Sequence, residues 1–128
     1  MLTEKKMKLV EVQGLANALA EFNKEAENQG GVSAKLAYKM ARLASEVTKP
    51  LEILEKQRES LFKKYGEEKD GQIIIPDKSI QKFQKEFSEL MNTEEDIKVL
   101  SEKIKLEEFD GMKLKPSFMF AFSEYLEE

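Results

Sequence analysis

The sequence predicts an α+β fold that is mostly helical, with a long kinked helix packed against two or three shorter helices and a small two-stranded sheet. Apolar residues recur at steps of three and four over most of the chain, which is the spacing of an amphipathic helix. A short β-branched run at Ile73–Ile75 and an alternating segment at Ile104–Leu106 are typical of strands. The length of 128 residues fits one domain, residues 1–128.

The first helix is predicted over Leu9–Asn28. Its apolar positions recur every three or four residues: Val12, Leu15, Ala16, Leu19, Phe22 and Ala26. The segment Met7–Val12 could instead begin as a short strand. Gln29-Gly30-Gly31 ends the helix, because glycine tolerates the positive φ of a helix C-terminus.

The second helix is long, and Ser33 is its predicted N-cap because a hydroxyl can accept from an orphan backbone amide. Its apolar positions are Leu36, Met40, Leu43, Val47, Leu51, Leu54, Leu61 and Tyr65. Pro50 lies among them, and proline in a helix interior costs about 3 kcal/mol. It could also open a separate helix at the first position. The apolar spacing passes through Pro50 unchanged, which favours one kinked, continuous helix.

Gly66 marks the end of the long helix, and Asp70-Gly71 predicts a turn. Ile73–Ile75 follows as a brief strand that Pro76 stops. Ile104–Leu106 alternates apolar and charged residues, so this segment is a second strand that could pair with Ile73–Ile75.

Asp77 or Ser79 is the predicted N-cap of a third helix. Its apolar positions are Ile80, Phe83, Phe87, Leu90 and Met91. After a turn at Asp110-Gly111, a terminal helix is expected over Phe118–Leu126.

The predicted core combines the long and third helices: Leu36, Met40, Leu43, Val47, Leu54, Leu61, Phe83, Phe87 and Leu90. Arg58 interrupts the apolar positions of the long helix. We expect its aliphatic stem to cover the core while its charge reaches water. The alternative is a buried guanidinium that needs a carboxylate partner.

The composition excludes several kinds of site. The chain contains no cysteine and no histidine, so disulfides, thiolate metal sites and histidine-dependent triads are excluded. The acidic clusters Thr93–Asp96 and Glu107–Asp110 lack the spacing of a calcium loop and are interpreted as solvated turns. We therefore predict no catalytic residue, cofactor or metal. No apolar run approaches the roughly 20 residues of a membrane span, and no signal peptide is evident.

A basic row on the long helix consists of residues seven apart: Lys35, Arg42, Lys49, Lys56 and Lys63. Residues 32–66 hold eight basic and four acidic side chains, a net charge of +4, whereas residues 67–128 hold nine and sixteen, a net of −7. The basic row could meet phosphates, an acidic partner or the chain's own acidic half. The formal net charge of −4 argues against a nucleic-acid partner. We also interpret the basic row as having no aromatic side chain between its members, which argues against the stacking of bases.

The terminal helix places its large apolar groups on two sides. Phe118, Phe122, Tyr125 and Leu126 share one face, whereas Met119 and Phe120 point elsewhere. Either the segment wedges between the sheet and the long helix, or one side docks on another protein. Our hypothesis is that Phe120 or Met119 contributes to an interface, with a protein partner or through self-association. The basic row is the second predicted partner-binding surface.

Several segments together resemble a known family. "LAYKMARLASEVTKPLEILEKQRESLFKKYG", the Asp-Gly turn with "IIIP", then "FQKEFSELMNTEEDI" and "KIKL" are similar to a family of small bacteriophage and prophage proteins of unknown function. The resemblance covers about Leu36–Leu106. It implies a phage context, hence a bacterial host cytoplasm or a virion, and transfers no catalytic residue.

These observations favour a phage-encoded structural or assembly-interaction protein that acts by protein–protein contacts, without catalysis. The alternative is a phage-encoded small protein that binds and modulates a host protein. An enzyme is the least favoured reading.

Overall fold

A computed structural model describes residues 2–109 and 111–127. The elements in chain order are β1 Leu2–Lys8, α1 Leu9–Asn28, α2 Ala34–Tyr65, β2 Glu67–Lys69, β3 Gln72–Ile74, α3 Asp77–Met91, β4 Glu94–Leu100, β5 Ile104–Lys105, α4 Pro116–Ala121 and β6 Leu126–Glu127. Short 3-10 turns cover Leu106–Phe109 and Ser123–Tyr125. This arrangement confirms the predicted α+β, mostly helical fold with one long helix.

α2 runs through Pro50 as one helix, so the alternative of two separate helices is wrong. The Ser33 hydroxyl accepts from the Leu36 amide at 3.2 Å, as the N-cap prediction required. At the other end, the Gly66 amide donates to the Phe62 carbonyl at 2.7 Å. Apolar residues on both sides of Pro50, Val47 and Leu54, are buried, and their packing offsets the local cost of the proline.

The strand pairing differs from the sequence prediction. Ile104–Lys105 does not pair with the isoleucine run; it pairs in parallel with β6, and β3 pairs with β2. Asp70 and Gly71 have φ of 51° and 79°, and such a two-residue turn folds β2 directly back onto β3. The part of the chain that the structure describes therefore forms three two-stranded sheets rather than one.

The largest sheet was not predicted. β1 pairs antiparallel with β4 from Leu2–Leu100 to Lys8–Glu94. The acidic cluster expected to be a solvated turn is thus the start of a strand, because Glu94, Glu95 and Asp96 continue the ladder. The Leu9 amide also donates to the Thr93 carbonyl at 2.9 Å, which ties the start of α1 to this sheet.

The C-terminal segment is less regular than the predicted helix Phe118–Leu126. α4 ends at Ala121, a 3-10 turn follows, and Leu126 pairs with Ile104 in the β5–β6 sheet. Asp77 is the first residue of α3 rather than its cap, and the N-cap is Pro76, which offers no side-chain bond. In the Asp110-Gly111 turn, Asp110 lies outside the described residues, and Gly111 has a φ of 82°.

Among residues 2–109 and 111–127, twenty hydrophobic residues are buried, and all of them lie in residues 7–54 or 97–125. We call residues 55–93 the arm, and the rest of the described chain the body. The arm holds the end of α2, the β2–β3 hairpin and α3, and the structure describes every residue of it without placing one in the buried class. The prediction of core positions in the arm is therefore wrong: Leu61, Phe83, Phe87 and Leu90 are half-buried.

The arm is held by one aromatic seam between α2 and α3. The Phe83 ring centroid lies 5.3 Å from that of Phe62, 6.4 Å from that of Tyr65 and 5.9 Å from that of Phe87. The Arg58 guanidinium lies 5.8 Å from the Phe87 centroid and keeps a third of its side-chain surface exposed, at 33%. Its Nε is buried without a hydrogen-bond partner among the described residues, and its Nη1 lies 3.6 Å from a Glu55 carboxylate oxygen. The side chain therefore covers the seam with its charge partly in water, and it also has the carboxylate partner of the alternative.

The molecule exposes more surface than a compact chain of its mass. Its accessible surface is 8783 Å². A folded monomer of 14.8 kDa is expected to expose about 7,000 Å². The difference is consistent with an arm that has only one packed side.

Candidate functional site

The C-terminal segment buries one aromatic face in the body. Phe118 and Phe122 are completely buried, and their rings stack with centroids 4.7 Å apart. Tyr125 continues this face at 5.6 Å from Phe122, and Phe109 meets Phe118 edge-on at 5.8 Å. This face fixes the orientation of α4 against α1, because aromatic residues dominate the apolar burial.

Phe120 lies on the opposite side of α4 and is 86% exposed, the highest value among the large hydrophobic residues that the structure describes. Successive residues rotate by about 100° around a helix, so a residue two positions from Phe118 and Phe122 points away from both. Met119, the other predicted contact residue, is half-buried and packs against the core. The structure therefore separates the two, and Phe120 alone is presented to solvent.

Phe120 stands at the edge of a cavity of about 470 Å³ between the start of α1 and the C-terminal segment. The lining residues are Met7, Glu11, Gly14, Leu15, Phe120, Ala121, Ser123, Glu124 and Tyr125. The lining combines apolar side chains with two carboxylates and one phenol. Cavities of this size and character hold small groups in proteins.

Tyr125 is 5% exposed, and its hydroxyl has no hydrogen-bond partner among the described residues. Burial raises the pKa of Tyr125 well above its ordinary value, and the negative charges of Glu124 and Glu11 add to this effect. The phenol therefore stays neutral, and its buried oxygen can accept a hydrogen bond.

Three charged side chains surround this phenol. The Lys5 ammonium pairs with the Glu124 carboxylate and lies 5.8 Å from the Tyr125 ring centroid. One Glu11 oxygen accepts from the Lys8 amide at 2.9 Å, which caps the first turn of α1. Within residues 2–109 and 111–127, Glu11 forms no ion pair. The two carboxylates and the ammonium leave the site with a formal charge of −1.

The basic row lies elsewhere. All five of its members are exposed, on the side of α2 away from the buried positions, and none lines the Phe120 cavity. In the described part of the chain none of them forms an ion pair, whereas the neighbouring Lys39 pairs with Glu108 at 3.6 Å. The structure thus keeps Phe120 and the basic row as separate surfaces.

Two exposed apolar side chains interleave the basic row, and the interpretation that it contains no aromatic is wrong. Tyr38, between Lys35 and Arg42, is 58% exposed, and Ile53 is 52% exposed. Both stand three or four residues from basic residues, which is the spacing of neighbours on a helix surface. That spacing was visible in the sequence.

The described residues hold no group of three acidic, histidine or cysteine side chains that could bind a metal ion. No helix within them combines the length and apolar character needed to cross a bilayer. Glu107 and Glu108 of the second acidic cluster lie in a 3-10 turn, and Asp110 is outside the described residues.

No protein-family model, curated protein or solved structure matches this chain.

Proposed function

We propose that this chain is a non-catalytic interaction protein that docks a protein partner, or a second copy of itself, through the surface around Phe120. The observation that supports this is the 86% exposure of Phe120 on α4, while Phe118 of the same helix and its C-cap residue Phe122 are completely buried. A buried aromatic removes roughly 150–250 Å² from water. At about 25 cal/mol per Å², Phe120 offers roughly 4 kcal/mol of gross driving force to a partner that covers it.

The resemblance of Leu36–Leu106 to small phage proteins supports the biological context of this proposal. In that context the chain is a structural or assembly component of a phage particle in a bacterial host. Mass spectrometry of purified particles tests this assignment. Absence from particles, together with capture of a host protein, would favour the alternative of a host-directed modulator.

The basic row is a second surface that we propose for an acidic protein partner. Its five cations, which form no ion pair with any described residue, offer charge, and Tyr38 and Ile53 beside them offer apolar contact. Titration with DNA and RNA at about 150 mM salt is expected to show no saturable binding. Submicromolar affinity that is lost in a Lys49→Glu/Lys56→Glu variant would instead assign this surface to nucleic acid.

The substitution Phe120→Ser tests the docking proposal directly. We expect it to lower the assembled mass in light scattering, or to abolish capture of the partner, while circular dichroism stays unchanged. Ile73→Ser is the matched control, because Ile73 is also apolar and about half exposed, at 56%, but lies on β3, outside both proposed surfaces. If Phe120→Ser unfolds the isolated chain, or changes assembly no more than Ile73→Ser does, the proposal fails.

A further inference from the structure

Gly14 lies in the middle of α1, where glycine is among the least favourable residues. The fold does not require it there. A Cβ at position 14 would meet no atom within 4 Å, and its φ is not in the left-handed region. Gly14 lines the cavity beside Phe120, so the absence of a side chain at this position keeps the cavity open.

Tyr125 carries a second unexplained feature. Its ring packs on Phe122 as another apolar member of the core. Its hydroxyl is buried without a partner among the described residues. A buried polar group without a hydrogen bond destabilises the fold, so phenylalanine would serve better if the hydroxyl had no ligand.

The charges around the cavity indicate which ligand would bind there. Glu11 has no cationic partner in the described chain, whereas Glu124 forms an ion pair with Lys5. A cation would neutralise the formal charge of −1. Phe120 adds an exposed aromatic ring at the edge, on which a planar cation can stack.

We propose that the cavity between α1 and the C-terminal segment binds an arginine side chain of a partner protein. The guanidinium donates to the Tyr125 oxygen and to the Glu11 carboxylate, and the aliphatic stem passes over Gly14 beside Phe120. Arginine fits better than lysine because its planar group directs several donors at once and stacks on aromatic rings. This inference rests on the proposed function, since it names what the docking partner inserts.

The proposal is tested with n-butylguanidinium chloride as a probe of the arginine side chain. Titration at constant ionic strength, followed by amide chemical shifts, is expected to perturb Gly14 and Ser123 saturably with a Kd of about 1–10 mM, typical of a fragment. The neutral isostere n-butylurea should bind at least about tenfold more weakly. n-Butylammonium distinguishes lysine from arginine.

Two variants locate the probe. Tyr125→Phe removes only the hydroxyl and should weaken binding at least about tenfold, because one hydrogen bond to a charged group is lost. Gly14→Leu should fill the cavity and abolish binding. Ala20→Leu is its matched control, because it adds the same side chain at an exposed position of α1 and should leave affinity unchanged.

Several outcomes would overturn the arginine site. Equal binding of the urea and the guanidinium would make the cavity merely apolar, and preference for n-butylammonium would assign it to lysine. Affinity that survives Gly14→Leu would place the probe elsewhere.

The assembly assay separates this site from the docking proposal. If the probe fails but Phe120→Ser still disrupts assembly, the arginine site falls and docking stands. If the probe binds as expected but Phe120→Ser has no effect on assembly, the site stands and the proposed docking falls.

Discussion

The two halves of α2 are built from the same kind of apolar repeat, yet they have different surroundings. In the body, Leu36 and Leu43 are completely buried, because α1 covers one side and β4 another. In the arm, Leu61 and Phe62 are only half-buried, because α3 is the main element packed on them. The comparison teaches that periodicity specifies a helix, whereas depth of burial depends on how many neighbours that helix has.

The difference also assigns stability to different parts of the chain. The body contains every residue of the buried class, while the arm relies on half-buried aromatic contacts around Phe83. Regions with little buried apolar surface open locally at lower free energy than the core. We therefore expect the arm to open before the body unfolds.

The same substitution, leucine to alanine, should lower the free energy of unfolding by different amounts at two positions of α2. Leu43→Ala should lower the free energy of unfolding by about 3 kcal/mol, since it empties a fully buried site. Leu61→Ala, in the arm, should cost only about 1 kcal/mol because the site is already half open to water. Urea denaturation measures both. Equal losses would show that the arm is as well packed as the body.

Gly66, in the arm, and Gly14, in the body, differ in the space available for a side chain. A Cβ at Gly66 would lie 2.3 Å from the Phe62 carbonyl oxygen and 2.4 Å from Ile73 Cγ2, so the join between α2 and β2 would have to shift. Gly66→Ala should destabilise by about 2 kcal/mol. Gly14→Ala is the control in the body and should stabilise by about 0.5–1 kcal/mol, because that site has room for a methyl group. Thermal unfolding that reverses this order would contradict the placement of both glycines.

Pro50 lies just before the junction of body and arm. Pro50→Ala supplies an amide that can donate to the Glu46 carbonyl, and it should raise the free energy of unfolding by about 1 kcal/mol. Helical Cα shifts over 47–54 should be retained in both proteins. A loss of stability would mean that packing across the junction depends on a proline-induced bend.

The smallest predicted change is the loss of the Glu86 interactions in the arm at acid pH. Hydrogen bonds from Tyr65, which has the larger effect, and from Lys64 lower the pKa of Glu86 below its ordinary value of 4.5. The stabilisation is therefore present above pH 4.5 and is lost as pH falls through the lower pKa of the folded state. Amide shifts around Glu86 should show this transition without a matching change in α1. Glu86→Gln should remove it, and its persistence in that variant would assign it to another carboxylate.

The fold was partly predictable. The bounds of α1 and the continuity of α2 follow from local periodicity, and Asp70-Gly71 correctly marked a tight turn. β1 was missed because Leu2–Lys8 is rich in charge and its partner β4 lies about 90 residues away in the chain. The residue pattern of neither strand indicates that β1 and β4 pair with each other.

The candidate site was predictable only at Phe120, whose helical position separates it from its aromatic neighbours. Glu11, Gly14 and Tyr125 carry no shared spacing, since they meet only when α1 packs against a segment more than 100 residues later. Gly14 offered one signal, as a glycine inside an otherwise regular helical pattern.

Native-state hydrogen exchange measures whether the arm opens independently of the body. Amides of α3 around Phe87 are expected to exchange by local opening, at least about tenfold faster than amides of α1 around Leu19 under identical conditions. Small amounts of denaturant should accelerate the α1 amides more steeply, because they exchange only on global unfolding. Equal protection in α3 and α1, with the same denaturant dependence, would show one cooperative unit and contradict the division.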